Sequence, residues 1–239
     1  STIGQGWFEG STTVQQEHFA SALAMRRMEA LLAAAPVASR PGRVLIGCPP
    51  QEEHTFGLML LTFLLRRRGW DVVYLGANVP IEQLAPTLKA VRPRLAIFLA
   101  QQLVSAATLR DLGVFLAQEQ VVLAYGGRIF VNSASLQGRI GGHYLGDDLT
   151  GAVAVVERLL ARSEPAPPAE PVPAEYGIAL DHFLSRASAL RLALTNTLAH
   201  QVPSGAQFAD AGNYLQDNVV AALKLGDMSF VSPEIAWIS

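Results

Sequence analysis

The sequence has a single cysteine, Cys48, which excludes an internal disulfide and a structural zinc site built on several thiolates. Charge is also scarce: 16% of the 239 residues are charged, and the formal net charge is −2. Nucleic-acid surfaces need an excess of cations, so direct nucleic-acid binding is not expected. No apolar run approaches the roughly 18 residues of a membrane-spanning helix. The N-terminus lacks the basic, apolar and small-residue succession of a signal peptide. What is abundant is apolar side chain, at 50%. That suffices for a real core in one large domain, or in a medium domain plus a smaller unit. A soluble, cytoplasmic protein is expected.

Residues 1–40 read as helical. Thr12 and Thr13 each precede a glutamine by three residues, the capping-box pattern. Val14, Phe19, Leu23, Met25, Met28, Leu31 and Leu32 then recur at helical spacing, until Pro36 and the Ser39–Gly42 cluster stop the helix. Across 41–162, short apolar runs alternate with helical patterns. The strands are read at 43–48, 71–75, 95–99, 121–125 and near 144–145, with helices at 57–67, 81–91, 107–117 and 149–161. Strands that are apolar on both faces predict a Rossmann-like, doubly wound parallel sheet covered by helices. Five prolines within 163–174 predict a stiff linker over 163–175. Two apolar stripes over 176–239, the second closed by Gly226, predict a further helical region. The chain opens close to Trp7 and closes soon after Trp237, from which a trimmed fragment is expected.

The loop after the first strand carries Glu52, His54 and Gly57. Doubly wound sheets bind ligands outside the carboxyl ends of their strands. A histidine there can bind a metal through one ring nitrogen, and a carboxylate two residues earlier can hold the proton on the other. The glycine lets a bulky group approach the backbone. His143, by contrast, is read as a loop residue, and Cys48 as buried and inert.

Glu52-x-His54-x-x-Gly57 resembles the cobalamin-binding motif Asp/Glu-x-His-x-x-Gly, in which the histidine becomes the lower axial ligand of cobalt. The family's Ser-x-Leu element falls on Leu99 and Gln101, and neither residue matches it. The family's glycine pair falls on Gly126 and Gly127, which do match. Leu75–Pro80 and Tyr144–Asp148 resemble further elements of the same domain. The resemblance covers 43–162. It implies that Glu52, His54, Gly57, Leu99, Gln101, Gly126 and Gly127 contact the cofactor and that His54 binds its cobalt.

Trp7, followed after nine residues by Glu17 and His18, resembles the Trp-x9-Glu-His element of CarH/LitR-type light-sensing cobalamin regulators. This implies a helical cap over the upper face of adenosylcobalamin. Trp7 would pack on the adenosyl group, Glu17 would contact it, and His18 would serve as candidate upper cobalt ligand. A cobalamin domain with a helical extension and no DNA reader also resembles the photocobilins, which hold a bilin beside the cobalamin. That implies biliverdin as a second chromophore near 176–239, with His182, Arg186, Arg191, His200 and Tyr214 as candidate contacts.

The expected function is therefore light sensing without catalysis, with output through a homo-oligomer or an effector-domain partner. Two alternatives are a corrinoid carrier of a methyltransferase or mutase system and a cobalamin-binding regulator without photochemistry.

Overall fold

A computed structural model describes residues 13–162, 164–199 and 205–232. Its centre is a five-stranded, all-parallel sheet in the order β2-β1-β3-β4-β5. The strands are β1 Arg43–Gly47, β2 Asp71–Gly76, β3 Leu95–Leu99, β4 Leu123–Gly126 and β5 His143–Tyr144. The Rossmann-like expectation holds.

The alternation of side chains along a strand explains the two cores. Val44, Ile46, Ile97 and Leu99 point to one face, where they meet Leu58, Leu61 and Leu65 of α2 (Phe56–Arg67) and Val153, Val156 and Leu160 of α6 (Leu149–Arg162). Leu45, Ala96 and Phe98 point to the other. There they meet Leu84 and Leu88 of α3 (Leu84–Val91) and Leu109, Leu112 and Leu116 of α4 (Leu103–Gln118). Each fully buried leucine contributes about 1.5–3 kcal/mol. Phe98 is fully buried, and its truncation to alanine costs about 3–5 kcal/mol.

The first described helix, α1 (Val14–Ala33), starts with the capping box Thr13–Gln16. It packs against α2 and buries Met28. Its chain then descends to the amino edge of the sheet, where the N–H groups of Ser39 and Arg40 donate to the Gly69 carbonyl.

Two elements are too short for periodicity to reveal. They are α5 (Arg128–Asn132) and the 3-10 helix Ala134–Arg139. His143 also differs from the expected loop position: it lies in β5, paired with Ala124.

The proline-rich stretch lies along the domain. Gly142 N–H donates to the Pro167 carbonyl, and Glu170 N–H donates to the Gly138 carbonyl. The helical region beyond it forms α7 (Ala174–Ala199) and α8 (Gly205–Leu225). Helix α8 packs on α4, and its Ala221, Ala222 and Leu225 complete one of the two cores. Gly226 ends α8 with a φ of +76°, as its left-handed cap requires. No helix among the described residues is long and apolar enough to cross a membrane.

Candidate functional site

The strand order reverses between β1 and β3, and their carboxyl ends open the crevice where such sheets bind ligands. The loop after β1 supplies Glu52 and His54. The turn after β3 supplies Gln101 and leads into α4.

Glu52 is completely buried, which a carboxylate tolerates only when its oxygens are satisfied. One oxygen accepts the His54 backbone N–H at 3.0 Å and lies 2.7 Å from His54 Nδ1. The other accepts the Gln101 backbone N–H and the Ser105 hydroxyl, each at 2.6 Å. Burial is the largest single influence on this carboxyl and raises its pKa. The hydrogen bonds from Ser105, Gln101 and His54 together outweigh it and hold the group below its ordinary 4.5. Glu52 is therefore an anion, an acceptor only, and His54 Nδ1 is the donor to it. That tautomer leaves the Nε2 lone pair free, on a side chain that is 61% exposed.

A single imidazole backed by a carboxylate provides too few ligands to enclose a bare metal ion. The arrangement suits a metal that arrives with equatorial ligands of its own. Among the described residues there is no cluster of three or more His, Cys, Asp or Glu side chains able to hold an ion.

Beside His54 lies a cavity of about 380 Å³. The expected site residues Gly57, Leu99, Gln101, Gly126 and Gly127 all line it, together with Leu61 and Leu145. A Cβ at Gly127 would stand 1.9 Å from the Ala100 carbonyl oxygen, and its φ of +122° also favours glycine. At Gly57 a Cβ would meet no protein atom within 4 Å, so the space above it is open to a ligand. Gln101 joins the two loops, because its side-chain oxygen accepts the Arg128 backbone N–H at 2.9 Å. An apolar slot with a glycine floor, next to an outward imidazole nitrogen, fits a corrinoid whose displaced base enters the protein.

Ser105 was not among the expected site residues. Its hydroxyl comes from the first turn of α4, where Ser105 also closes a capping box with Gln102. Gln102 followed three residues later by Ser105 was the signal available in the sequence.

Cys48 directly follows β1 and is fully buried, as expected. Burial, with Glu52 and Glu53 adding to it, pushes the thiol up to about 12.

His18 lies on α1 and is exposed. Trp7 falls outside the described residues, as does His200, and Glu17 is placed in α1 by its backbone alone. Tyr74 of β2 is half-buried beneath the same side of the sheet's carboxyl end. Burial, against a hydrogen bond with Thr55 and with Cys48 and Glu29 adding to it, pushes that phenol up. Phe19 and Leu23 of α1 are 72% and 58% exposed. The other named residues do not converge on this site. His182 and Arg186 are exposed on α7, Arg191 donates to Gln216, and Tyr214 is half-buried on α8.

Comparison with known proteins agrees with this location. Residues 42–153 match the B12 binding domain family, and the crevice described above lies within the matched residues. The HTH-type transcriptional repressor CarH of Myxococcus xanthus is 40% identical over 91 residues, 38% of this chain and 30% of that protein. The HTH-type transcriptional repressor CarA of the same organism is 39% identical over 80 residues, 34% of this chain and 28% of that protein. The matches thus span less than a third of either relative. Among solved structures, the Methanosarcina barkeri monomethylamine corrinoid protein aligns with a TM-score of 0.56 at 20% identity. That alignment covers 66% of this chain and 77% of that one, a likeness of fold.

Proposed function

We propose that this protein is a cytoplasmic, adenosylcobalamin-dependent light sensor that regulates a partner and has no catalytic turnover of its own. The observation that carries the cobalamin part is the outward His54 Nε2, fixed by Glu52 and Ser105 beside a glycine-floored cavity at the strand-order reversal. The light-sensing part is supported by the Trp7, Glu17 and His18 element of the sequence.

Adenosylcobalamin, when bound, supplies a cobalt–carbon bond that visible light breaks. His54 would hold the cofactor from below, and its Nδ1–H bond to Glu52 keeps the imidazole oriented and basic. Trp7 and Glu17 would cover the upper ligand, with His18 as the second candidate metal ligand. Helix α1 rests on α2, whose first residue, Phe56, follows His54 by two positions. Filling and emptying the space beside α1 then biases two positions of one helix, which is the requirement for a ligand-driven switch. Output would pass to a second copy or to an effector domain, with no direct nucleic-acid contact. A bilin beside the cobalamin is the finer form of this proposal, and its support is the layout of the sequence alone.

The test is to load the chain with adenosylcobalamin in the dark, with and without biliverdin. Absorption and light scattering are then recorded before and after green light. A protein-specific spectral change with altered assembly is expected, and a light-responsive red band would add the bilin. Tight binding with no light response, or methyl transfer in the dark, would instead favour a carrier.

A further inference from the structure

The cavity beside the glycine pair carries a single cation on its described lining, Arg128. Its backbone position is fixed twice over: Gly127 before it has no room for a side chain, and its own N–H is held by Gln101. Its side chain is exposed and makes no ion pair with any described residue.

Two carboxylates lie on the neighbouring connection between β5 and α6, and both are already engaged. Asp147 accepts the Tyr144 hydroxyl at 2.7 Å, and Asp148 accepts the N–H groups of Thr150 and Gly151. They disfavour an anion on their side of the cavity, so an anionic ligand group belongs on the Arg128 side. The apolar walls at Leu61, Leu99 and Leu145 take an uncharged ring. One aromatic group next to one monoanion is the chemistry of a nucleotide tail joined through a phosphodiester.

Resting on the cobalamin reading above, we infer that Arg128 binds the phosphodiester of the cofactor's nucleotide tail. It thereby selects a complete cobamide over a corrinoid that lacks the tail. A guanidinium suits this task because its planar fork can engage two phosphate oxygens together.

The test compares cobalamin with cobinamide, which has the corrin ring but neither ribose phosphate nor base. Equilibrium titrations followed by absorbance are run on the wild type, Arg128→Gln and Arg128→Lys, with melting curves as a control for folding. The inference predicts that Arg128→Gln weakens cobalamin binding about tenfold, the worth of one charge-assisted hydrogen bond. Cobinamide binding stays unchanged, Arg128→Lys falls between, and the wild-type advantage shrinks as salt rises. If Arg128→Gln weakens both ligands equally, or neither, the inference is overturned while the cobalamin reading stands. If the wild type binds neither corrinoid, the cobalamin reading itself fails and takes this inference with it.

Discussion

The Glu52 carboxylate lies 2.7 Å from His54 Nδ1, completely buried beneath an imidazole that is mostly exposed. This pairing puts the fixed charge inside the fold and leaves most of the imidazole outside it. Ser105, from the far side of the crevice, completes the carboxylate's partners. The imidazole is thus aimed by two separate loops of the sheet.

Replacing Glu52 with glutamine keeps the shape but brings an amide N–H₂ against two of the four donors. Losing the carboxylate that orients a metal-binding histidine costs about 10–100-fold in metal affinity. We expect cobalamin binding to weaken by that order and apo stability to fall by about 1–3 kcal/mol. Titration and urea unfolding of the same variant measure the two effects.

Ser105→Ala removes one charge-assisted hydrogen bond to the same carboxylate. A stability loss of about 1.5–3 kcal/mol is expected. The loss of cobalamin affinity should be smaller than for Glu52→Gln, because the contact with His54 Nδ1 survives. Equal losses in the two variants would show that Ser105 positions the imidazole as strongly as Glu52 does.

The pH dependence has a definite sign. Glu52 titrates below its ordinary value of 4.5 in the folded chain. Its contribution is fully present above that value and is lost as pH falls toward the folded pKa. Wild-type stability should therefore drop more steeply below about pH 4.5 than that of Glu52→Gln. Urea unfolding across a pH series checks this, and parallel curves would contradict it.

Two glycines of the site should respond in opposite ways. Gly127→Ala meets the Ala100 carbonyl and should destabilise the fold by more than about 1 kcal/mol. Gly57→Ala meets no protein atom and lies in helix α2, so stability should hold or rise by about 0.4–1 kcal/mol. Its methyl group occupies ligand space, so cobalamin affinity should still fall. Melting curves and titrations separate the two cases.

Much of this was legible in the sequence, for identifiable reasons. The five strands announced themselves as apolar runs because both faces of the sheet are covered. Glu52 and His54 could be paired because two residues of loop suffice to bring a carboxylate under an imidazole. Ser105 escaped because its bond to Glu52 joins residues far apart in sequence, and no local pattern marks it. Helix α5 escaped because five residues cannot show a period. The strap over 164–173 read as a linker because backbone bonds such as Gly142 N–H to Pro167 leave no side-chain pattern. Helix α8 was legible as a helix, but its place on α4 rests on long-range packing that no local signal encodes.

The central claim is that His54 Nε2 binds cobalt in place of the cofactor's own base. The most direct measurement is the electron paramagnetic resonance spectrum of the cob(II)alamin-loaded protein, prepared with natural and with ¹⁵N-labelled histidine. Bonding to His54 predicts that the threefold nitrogen splitting of each line becomes twofold on labelling, and that His54→Ala abolishes the change. Threefold splitting that persists in the labelled protein would assign the lower ligand to the cofactor's base and contradict the account.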